Sequence, residues 1–308
     1  MIKIALDNRS EIESWFLEFG KVVLEKRLKS KKNKAICTEF IEFIKQNLDK
    51  ILIGNPIDLK HLIEQFEQNK AKFSTIEINK IFNYDAFSSK DKKREWCAYN
   101  LFKKLKVNTC PYCNDTFTHT IIKSNKRILR PDLDHFYDKD TYPYLAVSLY
   151  NLIPCCTVCN SRLKLSKKFT IDSHIHPYIE GFGNDIKFNT KIKDISFFQG
   201  KPEHCDINFR FSDKESEKTK RACSNIADFK LKDMYNLHKD YVYELIHKSM
   251  IYSDDYLDDL YKQYEGTIFK NREDLVRMIA SNYIDEENLN LRPLSKLTKD
   301  VVEQFGLW

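Results

Sequence analysis

The sequence predicts an α+β chain, mostly α, in which a small cysteine-stapled core is flanked by N- and C-terminal helical regions. Three observations carry this. Gly and Pro are scarce, 7 and 8 in 308 residues, so tight hairpins are few and helix dominates. Apolar residues recur at helical spacing toward both ends of the chain. Five of the nine cysteines fall between positions 110 and 159, where that spacing disappears.

The elements follow in order. Ile12, Trp15, Phe16, Phe19 and Val22 mark a first helix. Phe40, Ile41, Ile44 and Leu48 mark a second, with Thr38 as its cap. Asn55-Pro56 breaks the chain before a third over 59–73, and Ser88-Ser89 precedes a basic helix over 90–105. Nothing catalytic is read in residues 1–95, which form the first region. The second region, 96–182, holds three extended pieces, at 116–122, 127–136 and 146–154, the last ended by Pro154. A short helix over 157–167 follows. The third region, 183–308, begins with strands at 195–198 and 207–211 paired around Gly200. It continues as helices over 231–249, 255–264 and 272–283, then a last helix capped by Ser295 or Thr298.

Composition narrows the function classes. Hydrophobic residues are 42% and charged residues 31%, which excludes a wholly disordered chain. Mean hydropathy is −0.54 and no run approaches a membrane span. The first residues carry no apolar leader, so a cytoplasmic protein with thiols or metal-bound cysteines is expected. The net charge of +6 is modest, but its distribution is not. Residues 90–130 hold 11 Lys/Arg against 3 acidic residues, and 161–170 hold 4 against none. Two basic runs on either side of the cysteine cluster point to a phosphate backbone as partner.

Cys110-Pro-Tyr-Cys113 and Cys156-Thr-Val-Cys159 are CxxC pairs 42 residues apart. Two such turns complete a tetrahedral thiolate site for a structural Zn²⁺. Cys155 is an alternative ligand, and Cys156 is preferred because its spacing repeats that of the first pair. Cys37, Cys97, Cys205 and Cys223 are isolated and read as buried fillers.

Between and beside the pairs lie Asp134-His135, Asn151 and Asn160, followed by Arg162 and Lys164. A neutral imidazole can take a proton from water near pH 7, which makes His135 the candidate general base. Asp134 and Asn160 offer hard oxygens suited to Mg²⁺ or Mn²⁺. Asn151 is expected to orient the imidazole through its side-chain carbonyl. Arg162 and Lys164 are candidates for holding a scissile or flanking phosphate. His119, His174 and His176 lie close by, but no motif places them.

In this order of elements, over about 107–170, the chain resembles the HNH endonucleases, of ββα-metal type with paired zinc knuckles. The resemblance implies a small zinc-stapled ββα-metal core and metal-dependent hydrolysis of DNA. It extends to nuclease effectors of bacterial anti-phage defence or restriction systems. The partners it implies are DNA and an ATPase or other defence protein; a homodimer would serve to cut both strands. Many members carry Pro three residues after the histidine; here that position is Asp138. The competing reading is a non-catalytic, zinc-dependent nucleic-acid-binding module or a partner-docking subunit.

Overall fold

The computed structural model describes residues 1–30, 38–69, 78–91, 93–124 and 126–308. Over these the chain is mixed α and β, about half helical, with three two-stranded antiparallel sheets. Packing divides it into two compact units, drawn differently from the three stretches read in the sequence. One unit comprises 4–107 and 118–179; the other comprises 1–3, 108–117 and 180–308.

The first unit opens with α1 (Arg9–Leu28), α2 (Thr38–Ile53) and α3 (Pro56–Asn69). Each buries one stripe at helical period, such as Phe40, Ile44, Leu48 and Ile51 of α2. The expected break falls at Gly54-Asn55, and α3 starts directly after it at Pro56, three residues earlier than the sequence predicts. Asn55 Oδ1 accepts from the backbone of Ile57 and Asp58, Asp58 Oδ2 accepts from the Asn55 N–H, and Pro56 fills the first helical position. Residue 73, placed in that helix by sequence, lies outside the described residues, as does Cys37. Short helices α4 (Ile78–Ile81) and α5 (Tyr84–Ser88) precede α6 (Ala98–Leu105). The expected helix over 90–105 is therefore halved. The Asp91 carboxylate accepts from Lys93 N and Arg94 Nε, so this stretch spends its donors on a turn.

The extended pieces are regrouped. β1 (Ile121–Lys123) pairs with β2 (Lys126–Leu129), and β3 (Asp132–His135) pairs with β4 (Leu152–Cys155). Arg130 and Pro131 separate β2 from β3, dividing the single strand read over 127–136. The stretch 146–154 runs mostly as tight turns and becomes strand only at Leu152; Pro154 sits inside β4, opposite Leu133, rather than ending it. The helix after β4 is wound wide over Cys159–Lys164, its Leu165 N–H bonding the Asn160 carbonyl five residues back. The turn at Pro143–Leu145 is anchored to the N-terminal helices through Tyr144, whose ring lies 4.6 Å from Phe66.

The second unit pairs β5 (Ile186–Ile192) with β6 (Cys205–Phe211). The strand expected at 195–198 is a short 3₁₀ turn capped by the Asp194 side chain, and β5 takes its place with Ile186, Phe188 and Thr190 buried in alternation. Helices α7 (Glu217–Asp228), α8 (Leu231–Tyr235), α9 (Lys239–Ile251), α10 (Asp254–Tyr264), α11 (Arg272–Ala280) and α12 (Ser295–Gln304) complete it. The expected helix over 231–249 is interrupted at Asn236–His238. Ser295 does not cap α12; its buried hydroxyl donates to Asn114 Oδ1 at 3.1 Å. Asn114, which directly follows Cys113 of the first knuckle, also accepts from Lys296 N at 2.9 Å and donates to the Leu289 carbonyl at 3.1 Å. No helix among the described residues is long and apolar enough to cross a membrane.

Candidate active site

Two kinds of site follow from these elements: a cysteine cluster and an open cleft. Cys110, Cys113, Cys156 and Cys159 are all buried, with their sulfur atoms within 4.8 Å of one another. In each pair a backbone N–H points at a sulfur, Asp115 N to Cys113 Sγ and Cys159 N to Cys156 Sγ, both at 3.4 Å. Four convergent thiols with amide support are a donor set that fits zinc. Cys155 lies outside this cluster, in β4 opposite Asp132, and burial pushes its thiol well up. Of the isolated cysteines, Cys97 and Cys205 are buried, but Cys223 is exposed and no filler.

The cleft, about 440 Å³, lies wholly within the first unit. The end of β3 delivers Asp134 and His135 to it, and the wide turn after Cys159 delivers Asn160 and Lys164. His135 is 8% exposed. Its Nε2 lies 2.9 Å from the Ala146 carbonyl, which can only accept, so Nε2 carries the proton and Nδ1 keeps its lone pair. The Tyr84 ring stands edge-on to the imidazole, 4.5 Å between centroids. Burial lowers the His135 pKa to about 4, against the opposing effects of the Ala146 carbonyl and the Asp134 charge. The imidazole is therefore neutral at pH 7.

Asn151 does not touch that imidazole. Its Oδ1 accepts from Tyr137 N at 2.7 Å, and its Nδ2 donates to the Tyr137 and Leu145 carbonyls, each at 3.0 Å. The carbonyl that meets His135 comes from Ala146, the residue after Leu145. Asn151 thus fixes the loop whose backbone fixes the ring, one step further from the chemistry than the sequence suggested.

Lys164 also departs from expectation. It is 3% exposed, and its Nζ lies 2.8 Å from Asp134 Oδ1 and 2.6 Å from the His135 carbonyl. A cation so enclosed is not presented to a phosphate. Arg162 is exposed and does not line the cleft. Asn160 donates Nδ2 to Asp132 Oδ2 at 3.2 Å, and its own N–H bonds the Cys156 carbonyl at 3.1 Å. The second CxxC and the cleft therefore share one turn of backbone. His174 stacks on Phe169 at 3.6 Å and His176 lies 4.1 Å from Phe136; both are buried and outside the cleft lining.

No family model matches the chain, and no solved structure does. Two curated relatives match part of it. It is 33% identical over 114 residues to Protein ea31 of Escherichia phage lambda, covering 34% of this chain and 33% of that protein. It is 35% identical over 95 residues to the Septu protein PtuB of Bacillus thuringiensis, covering 29% of this chain and 32% of that one. The chain thus spans about a third of the length of the curated relatives it matches.

Several cleft residues escaped the sequence reading. Asp132 was legible in principle, since residues two apart on a strand share a face with Asp134. Tyr84 was not, because it comes from a helix remote in sequence. Asp138 proves to be a turn-former. Its Oδ2 accepts from Thr141 N and, at 2.6 Å, from Thr141 Oγ1. Burial works to raise its pKa, but those bonds and the Asp140 N–H prevail and hold it below the ordinary carboxylate value. An aspartate of this kind sets a turn where a proline otherwise would.

Proposed function

We propose that this chain is a metal-dependent HNH-type endonuclease that hydrolyses DNA phosphodiester bonds, with Zn²⁺ in the four-cysteine cluster. The observation that carries the reading is the neutral imidazole of His135, its Nε2 proton committed to Ala146, in one cleft with Asp134 and Asn160. His135 Nδ1 accepts a proton from the attacking water. The resulting imidazolium is stabilised by the Ala146 carbonyl and by the negative charge of Asp134. Ala146 and Tyr84 hold the ring so that little reorganisation accompanies the transfer. Asn151 acts as a positioning residue.

A divalent ion suits the donor chemistry beside that base. Asp134 offers a carboxylate, and the donation of Asn160 Nδ2 to Asp132 identifies Oδ1 as its amide oxygen. Mg²⁺ or Mn²⁺ held by Asp134 and Asn160 would neutralise the phosphate and stabilise the leaving oxygen. Arg162, being exposed, suits a flanking phosphate. Anti-phage defence is the setting we propose: the sequence resemblance points there and the partial match to a Septu protein agrees with it. An ATPase or other defence protein as partner, and a homodimer for cutting both strands, belong to the same proposal.

One observation favours the non-catalytic, nucleic-acid-binding alternative: Lys164 already pairs with Asp134. A plasmid-nicking assay with Mg²⁺, Mn²⁺ or EDTA, run beside His135→Ala, separates the two. Metal-dependent relaxation of supercoiled DNA that the substitution abolishes, with zinc content retained, is expected. Equal cleavage by both proteins would sink the assignment of His135, and zinc-loaded protein that binds DNA without cutting it would favour the alternative.

A further inference from the structure

We infer that the β1–β2 ribbon is the surface that grips the DNA backbone beside the cleft, an inference that rests on the nuclease reading for its substrate. The cleft itself is poorly suited to attract a polyanion. Its lining carries four carboxylates, Asp132, Asp134, Asp138 and Asp140, against three cations, one of which is the buried Lys164. Attraction must come from outside it. The chain entering β3 supplies the charge: residues 116–131 contain four Lys/Arg and no acidic residue.

The ribbon is built for contact rather than for core. All three residues of β1 are exposed, and in β2 only Arg127 is partly covered. Ile121, Ile122, Ile128 and Leu129 are 39–49% exposed, a concentration of apolar side chains that a two-stranded sheet has no folding reason to display. Lys123 and Lys126, cross-strand partners in the register, form no ion pair among the described residues. The ribbon is nevertheless held in place. Arg127 donates to the Asp91 and Arg94 carbonyls and lies 5.6 Å from the Tyr99 ring centre, while Lys90 Nζ reaches the Ile128 carbonyl at 3.2 Å. It also runs straight into the cleft, where Arg130 forms part of the wall two residues before Asp132.

A two-stranded ribbon has the width to enter a DNA groove. Uncompensated cations suit the phosphates, and exposed branched side chains suit sugars and base edges. The same open strands and apolar side chains would also suit a second copy of this chain, and the charge decides between the two: Lys123 and Lys126 of two copies would repel.

The test is fluorescence anisotropy of the full chain on a 25-base-pair duplex, in EDTA to prevent cleavage, across about 50–200 mM salt. Wild type is compared with Lys123→Gln/Lys126→Gln and with Ile122→Ser/Ile128→Ser, each checked for zinc content and thermal midpoint. The lysine pair is expected to weaken binding about tenfold or more. It should also flatten the slope of log K against log salt by roughly 1.8, at about 0.9 per lost phosphate contact. The isoleucine pair should weaken binding with the slope unchanged. Wild-type affinity and slope in folded lysine variants would overturn the inference. So would concentration-dependent dimers, seen by sedimentation, that dissolve in the isoleucine variant while DNA binding persists. The nuclease reading is judged separately. Wild type that cuts, with ribbon variants that bind normally, removes the ribbon alone; ribbon-dependent binding without cleavage by wild type removes the nuclease alone.

Discussion

The Lys164–Asp134 pair concentrates the physics of the site in one contact. Both side chains are almost wholly withdrawn from water, at 3% and 4% exposure, and an ion pair in that position cannot lose one member cheaply. Lys164→Met keeps the volume and strands the carboxylate. We expect a loss of about 3–5 kcal/mol in urea unfolding, with the variant's thermal midpoint rising on addition of Mg²⁺ more than that of wild type. An Mg²⁺ response no larger than wild type's would remove Asp134 from the proposed ion site. The buried histidines make a second prediction. Burial lowers His135 to about 4 and His176 to about 3, so both are neutral in the folded chain near pH 7. Unfolded, each titrates near 6.5. Their stabilising contribution is intact above about pH 6.5 and is lost as pH falls toward 4, because the unfolded state then binds the extra protons. Each can contribute up to about 1.4 kcal/mol per pH unit in that window. Urea midpoints measured from pH 7 to 5 should fall in wild type and fall less steeply in His176→Phe.

Elements show where sequence was informative. The cysteine pairs were legible because a CxxC turn is local: both sulfurs are placed by four residues of backbone, so spacing favours Cys156 over Cys155, and the clustered sulfurs decide for it. The long amphipathic helices α1 and α2 were legible because burial repeats along them over several turns. The Asp134-His135 pair and Asn160 were found by their order along the chain, and the fold brings all three to one cleft. What failed was short and settled by distant partners. The 127–136 piece read as one strand, yet its halves pair with different neighbours, a choice made by β1 and β4 rather than by local alternation. The 90–105 helix gave way to a turn because Asp91 could bond its own following backbone. Lys164 read as a surface cation because its burial depends on β3, 30 residues upstream, and on the wide turn that swings it inward. That turn also leaves Leu165 at φ 52, a strained conformation for a branched residue, at the rim of the cleft. Tyr84 and Ala146 carry no motif, since one supplies a ring edge and the other only a carbonyl.

At the scale of the whole molecule, the partition into 4–107 with 118–179, and 1–3 with 108–117 and 180–308, has a consequence for synthesis. A chain made from its N-terminus has every residue of the cleft-bearing unit once residue 179 is out. The segment 108–117, carrying Cys110 and Cys113, must wait. Its anchors are Leu289, Ser295 and Lys296, all bonded to Asn114, and the Asn290 carbonyl, bonded to Thr109 Oγ1. We expect a chain stopped before Leu289 to retain helix by circular dichroism and yet fail to hold one equivalent of zinc by atomic absorption; full zinc retention would refute this order of assembly. A nascent chain would then carry His135 and its cleft while its cysteine cluster is still unfinished. If the cluster holds zinc and the cleft cuts DNA, as proposed above, a prematurely terminated product would leave the ribosome without the staple that braces the turn bearing Asn160, and abortive translation would release a fragment impaired as a nuclease.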